Sequence, residues 1–196
     1  MIDPNQVTNF NRTSAELQEF ILFCAVVAGK SAHQQAHKLN WFLDTGTGEP
    51  FEKIERMDLM ARLKESKLGQ YNRLHTVFQE IVYLDLAHCT VEELEYIPGI
   101  GPKTARFFLL HSRPNQNLAV LDTHILAWMK SIGYQNIPKA TPTGNRYKEI
   151  EKHFLREAKL RNMTPADLDL KIWKERAKRM APREIASSNI IEVMLG

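Results

Sequence analysis

Apolar residues recur along this chain at three- and four-residue intervals, and no stretch alternates in the two-residue rhythm of a half-buried strand. In "YNRLHTVFQEIVYLDLA" the residues Leu74, Val77, Phe78, Ile81 and Val82 make one helical stripe. Punctuation supports the same reading. Thr13 with Glu16 and Thr90 with Glu93 have capping-box spacing. Pro98 stops one segment, Pro102 suits the first turn of the next, and Thr164-Pro165 with Asp167 opens the last. Asp122 or Thr123 can cap a helix through "HILAWMKSIGY", and "RYKEIEKHFLREAKLRN" reads as a long helix. A helix is also expected from Ser14 into "FCAVVAG", a second carrying Ala32, Ala36 and Leu39 inward, and a third in "MDLMARLKES". "DTGTGEP", "RPNQN" and "IPKATPTGN" are loops. The chain is therefore all-α, with roughly eight to ten helices.

Composition narrows the function classes. At 196 residues the chain can bury one compact core or fill two small lobes. A net charge of +3 permits a nucleic-acid partner without demanding one. Cys24 and Cys89 are the sole cysteines, too few for an iron–sulfur cluster or a thiolate zinc site. They make no disulfide scaffold either, so a reducing, cytoplasmic setting is expected. The apolar run "FILFCAVVAG" is too short to span a bilayer, and Glu16 and Glu19 before it argue against a signal peptide. The histidines show no metal motif; His33 and His37 are one turn apart, but no third ligand is evident.

Chemistry concentrates in "LEYIPGIGPKTARFFLLHS". Two helices joined by Pro98-Gly99-Ile100-Gly101 form a hairpin whose glycines allow positive φ and close backbone approach. Free N–H donors at Gly99, Ile100, Gly101, Lys103 and Thr104 near a helix N-terminus would suit a phosphate; a plain helix corner is the alternative. Lys103 by itself is a surface charge that the helix dipole disfavours, and Asp122 by itself is an N-cap. As a pair they could do more: an amine nucleophile needs a proton acceptor beside it, and a carboxylate can also steady positive charge on a sugar.

The ordered pattern of Ile97-Pro98-Gly99-Ile100-Gly101, Lys103, then "LAVLDTHIL" with Asp122 and His124 resembles the helix-hairpin-helix (HhH-GPD) DNA glycosylase superfamily. "KLGQYNRLHTVFQEI" is similar to the helix before the hairpin in endonuclease III-like members. The resemblance implies a two-lobed helical fold with a cleft for a base flipped out of duplex DNA. Residues 30–115 would form a helical barrel lobe carrying the hairpin, and 1–29 plus 116–196 a second lobe. It implies a bifunctional glycosylase/AP lyase acting as a monomer. Lys103 would attack the sugar C1′, form a Schiff base and nick the strand by β-elimination, with Asp122 assisting. Pro98, Gly99, Ile100, Gly101 and Thr104 would contact DNA.

Departures refine the branch. No cysteine follows Asp122, so the C-terminal four-cysteine cluster of several branches is excluded and no cofactor is expected. This fits the short 8-oxoguanine glycosylases better. Those use their C-terminal end in base recognition, however, and "IIEVMLG" offers no matching lysine. Lys30 aligns where relatives fill the gap left by the flipped base; it would do that, hold a phosphate, or be exposed at a helix start. Gln34 and Gln35 are weaker candidates. Phe107, four residues after Lys103, could stack on the base or be core, as could Trp173. His124 packs or hydrogen-bonds near the aspartate. Lys171, Lys174, Arg176, Lys178 and Arg179 make either a phosphate-facing strip or a solvated surface. The expectation is an 8-oxoguanine-type DNA glycosylase/lyase; the alternative is a catalytically idle module that senses distorted or modified DNA.

Overall fold

The structure, a computed structural model, describes residues 2–180, and these contain ten α-helices and no strand. The first helix, α1 (Ser14–Val26), opens on the expected capping box: Glu16 N–H donates to Thr13 Oγ1 and Thr13 N–H to Glu16 Oε2, at 3.3 and 2.8 Å. Every residue from Phe20 to Val26 is buried. A helix apolar on all sides has to be surrounded, and α1 is. Around it lie α2 (Ala32–Leu43), α3 (Pro50–Arg56), α4 (Leu59–Glu65), α5 (Tyr71–Ile81), α6 (Val91–Tyr96) and α7 (Pro102–Ser112), whose inward residues join it in one core running from Val7 to Leu109. A second core is built by α8 (Thr123–Ser131), α9 (Gly144–Leu160) and α10 (Pro165–Met180) together with Ala119 and Leu121. Leu110, Val120 and Ala166 form a small apolar contact of their own, flanked by Phe107 and Leu118.

Two details depart from the sequence reading. The helix α5 ends at Ile81 instead of running to Ala87, because Asp85 offers the chain another set of bonds. Its side chain accepts from Ala87 N–H at 3.0 Å and pairs with His88 Nδ1 at 2.8 Å. The short α3 has only Phe51 and Ile54 buried, too brief a stripe to register as periodic. No helix among the described residues is long and apolar enough to cross a membrane.

Candidate active site

Between α6 and α7 the chain turns through residues 97–101. Ile97 and Ile100 are buried and anchor the turn in the first core, which leaves Pro98, Gly99 and Gly101 on its outer side. Gly99 has φ +102°, and a Cβ there would stand 2.8 Å from Arg73 Cγ and 2.9 Å from Val77 Cγ2. Conformation and space both require glycine. At Gly101 nothing lies within 4 Å of where a Cβ would be, so the backbone is open to an approaching group. Two of the five expected donors are used internally: Ile100 N–H donates to Ile97 O (3.0 Å) and Thr104 N–H to Gly101 O (2.9 Å). The N–H groups of Gly99, Gly101 and Lys103 have no acceptor among the described residues. They sit at the N-terminus of α7, where the aligned peptide dipoles favour an anion.

The turn is held from behind by Arg73, which the sequence reading missed. Its guanidinium donates to Gly99 O (2.9 Å), to Ala25 O at the end of α1 (2.8 Å) and to Gln70 Oε1 (2.6 Å). Burial pushes its pKa down, a cost of seating a cation under the hairpin.

A cavity of about 820 Å³ opens beside the turn. It is lined by Lys103, Asp122, Phe107, His124, Trp173, Lys30, Gly99, Gly101 and Thr104, whereas Pro98 and Ile100 lie outside it. Lys103 occupies the first turn of α7, its Nζ 5.2 Å from the centroid of the Phe107 ring. Phe107 is half-buried, with edge contacts to Phe20 and His111, so it belongs to the core and to the cavity wall at once. Asp122 caps α8, accepting from Ile125 N–H at 2.8 Å. Lys103 makes no ion pair among the described residues, although it and Asp122 both act electrostatically on a third group, Asp169. At the rim, the Lys30 ammonium donates to Leu68 O, and burial lowers its pKa, with Arg73 and Lys38 adding to the effect. Gln35 is buried, which removes it from the outer face; Gln34 is exposed.

The segment that carries Asp122 has no regular secondary structure and is fixed by α9. Tyr147 Oη donates to Ala119 O (2.6 Å) and accepts from Leu121 N–H (3.1 Å). Glu151 Oε1 accepts from Ala119 N–H (2.9 Å) and from Arg106 Nε (2.9 Å). Arg106 stands one turn after Lys103, donates also to Glu95 (2.5 Å), and lies over the Tyr147 ring at 4.3 Å. Helix α7, which carries Lys103, and the segment that ends at Asp122 are thereby joined through Arg106, Glu151 and Tyr147. Single positions in the sequence give no sign of it.

Asp169 was missed too. It follows Ala166 by three residues and precedes Trp173 by four, the spacing of one helix face, so a carboxylate on an inward stripe was a readable signal. It lines the cavity and pairs through Oδ2 with His111 Nε2 at 3.1 Å. The C-terminal strip is partly visible: Lys171 and Lys174 are exposed, while the side chains of Lys178 and Arg179 and the ending "IIEVMLG" lie outside the described residues. His33 and His37 are both exposed, and no cluster of three metal-ligating side chains occurs among the described residues.

The family model for the 8-oxoguanine DNA glycosylase helix-hairpin-helix domain matches residues 4–163. Among solved structures, the chain is similar to the Methanocaldococcus jannaschii 8-oxoguanine glycosylase/lyase in complex with a 15mer DNA containing 8-oxoguanine. That likeness has a TM-score of 0.66 and 22% identity over 88% of this chain and 86% of that one. A second is the 8-oxoguanine DNA glycosylase of Thermotoga maritima, with TM-score 0.62 and 24% identity over 82% and 79% of the two chains. At these identities the solved structures show that the fold is shared.

Proposed function

Because the chain belongs to the 8-oxoguanine DNA glycosylase family, we propose that it excises an oxidised guanine from duplex DNA and nicks the strand at the resulting site. The DNA backbone beside the lesion rests on the free N–H groups of the 97–101 turn, a contact that positions without reading sequence. The lesion base swings out into the cavity, whose wall is shared by α7, α8 and α10. Unstacking it costs on the order of a few kcal/mol, least for a damaged base.

Lys103 is the nucleophile of this reading. It must first be neutral, and Asp122 is the acceptor of its proton. The amine attacks C1′ of the lesion nucleotide as the C1′–N bond to the base breaks, and the Asp122 carboxylate steadies the positive charge that develops on the sugar. Ring opening yields a Schiff base on Nζ; loss of a C2′ proton then expels the 3′ phosphate by β-elimination, and water releases the enzyme. Each step is carried by side chains, so no metal or iron–sulfur cluster is called on. Duplex DNA is the partner, a monomer suffices, and the cytoplasm or nucleoid is the matching location.

The observation supporting this most strongly is that the first turn of α7 and the cap of α8 deliver Lys103 and Asp122 to one cavity, beside three unsatisfied donors. The test is strand nicking on duplexes carrying 8-oxoguanine, oxidised pyrimidines, uracil or an abasic site, with wild type beside Lys103→Gln. Nicking of the 8-oxoguanine duplex, lost in the variant, is expected. Tight binding with no nicking of any duplex would instead favour a DNA-sensing module.

A further inference from the structure

The hairpin N–H groups are neutral, so another part of the chain has to supply the ionic attraction that holds duplex DNA before any lesion is met. We propose that Lys30, Lys38 and Arg73, gathered on the turn at residues 67–70, form a second phosphate site that supplies this attraction on damaged and undamaged duplex alike. The inference rests on the duplex-binding part of the reading above and names the surface from which the salt dependence comes.

The three cations come from separate places and meet on one turn. Lys30 precedes α2, Lys38 lies on α2, and Arg73 lies in the first turn of α5. Lys38 Nζ donates to Lys67 O at 2.9 Å, and Lys30 Nζ donates to the adjacent carbonyl, Leu68 O. Arg73 donates to Gln70 Oε1 at 2.6 Å, while Gln70 Nε2 donates to Ala28 O at 3.4 Å. Each cation is thus tied to neutral oxygens, and none of the three forms an ion pair among the described residues. The sequence already contains the reason: no Asp or Glu occurs from residue 20 to 43 or from 66 to 79. The charges are close enough to act on one another. Burial lowers the Lys30 pKa, and Arg73 and Lys38 lower it further.

Like charges gathered without a carboxylate repel one another, and an anionic ligand relieves that repulsion. A phosphodiester suits the geometry, since its two free oxygens can be shared by ammonium groups seated on adjacent carbonyls. Donors remain for it: each lysine has spent one of three N–H groups and Arg73 three of five. The side chains are already tethered to the turn, so less rotamer freedom is lost when the phosphate arrives. Lys30 and Arg73 also line the mouth of the cavity, and Arg73 donates to Gly99 O, so a backbone held here continues onto the hairpin. The exposed lysines of α10 are a weaker candidate for the same work. Lys171 and Lys174 share one surface depression with Asp167 and Glu175, whose charges offset theirs.

The test measures affinity for an undamaged duplex and for one carrying a non-cleavable abasic analogue, by fluorescence anisotropy across a range of KCl concentrations. Single neutral methylphosphonates are placed along either strand. The slope of log affinity against log salt should be shallower by about one in Lys38→Gln, on both duplexes alike. Glutamine keeps a donor for Lys67 O and removes the charge, and Lys38→Arg, which keeps both, should retain the wild-type slope. A methylphosphonate at the gripped position should weaken wild type and add no further loss in Lys38→Gln. The strand that carries it identifies the backbone held, lesion or complementary. Replacing Lys171 and Lys174 together by Gln should change the slope less than Lys38→Gln alone. An unchanged slope in Lys38→Gln overturns the proposal, as does a slope that moves only with the α10 pair. A loss that Lys38→Arg shares also overturns it, since that would mark a structural role. Binding involves no chemistry, so a chain that shows the expected slopes yet nicks no lesion supports the phosphate site and overturns the excision reading alone.

Discussion

Helix α1 and the segment from Ala119 to Asp122 both contribute to the cavity wall, are largely buried, and are stabilised by opposite means. In α1 the backbone satisfies its own hydrogen bonds, so its buried side chains can all be apolar and the helix needs only close packing. The 119–122 segment has no ladder. The N–H and C=O groups of Ala119 and Leu121 are taken up by Tyr147, Glu151 and Thr141, the last donating to Leu121 O at 2.9 Å. A packed helix loses stability in proportion to what is cut away. A segment held by a few polar atoms loses direction when one of them goes, and Asp122 lies at its end.

The largest expected effect is at the centre of the polar network. Arg106 is 7% exposed and Glu151 12%, so Arg106→Met strands a buried carboxylate and should cost about 3–5 kcal/mol in urea unfolding. Leu22→Ala, in the apolar helix, should cost about 2–5 kcal/mol, with the nicking rate per folded molecule unchanged. A rate loss there as severe as that from the network would erase the distinction between the two regions. Tyr147→Phe should cost less, about 1–3 kcal/mol, because it leaves Ala119 O and Leu121 N–H without their partner. Its nicking rate should nonetheless fall by up to about 100-fold, since a misplacement near 1 Å at a reacting group has that effect; a rate equal to wild type would show that Tyr147 does not aim Asp122.

The smallest effect has the opposite sign. Burial raises the folded-state pKa of Asp169 above its ordinary value. The native chain therefore holds that proton to higher pH than the unfolded chain. The associated stability is full in acid and is lost as pH rises through the folded pKa. Asp169→Asn removes the penalty, so the variant should unfold at higher urea than wild type near neutral pH, and the difference should shrink in acid. A destabilised variant at neutral pH would mean that the His111–Asp169 pair stabilises the native state.

What was legible follows from how local each signal is. The capping boxes at Thr13 and Thr90, the Pro98 stop and the Pro102 start concern neighbours within four residues, and they mark α1, α6 and α7. Lys103 and Asp122 stood out because each belongs to a short ordered motif. The parts not read join distant positions. Arg106 to Glu151 spans 45 residues, His111 to Asp169 spans 58, and Arg73 to Ala25 spans 48. Each is an ordinary charged residue on a helix until the fold supplies its partner.

The most direct measurement is to trap the chain on an 8-oxoguanine duplex with borohydride, digest the adduct and locate the modified residue by mass spectrometry. Reduction fixes the Schiff base in place, so the cross-linked amine is the nucleophile. A cross-link on Lys103, absent in Lys103→Gln, is the expected result. An adduct on Lys30, on the N-terminal amine or on any other lysine would contradict the role given to Lys103 and Asp122.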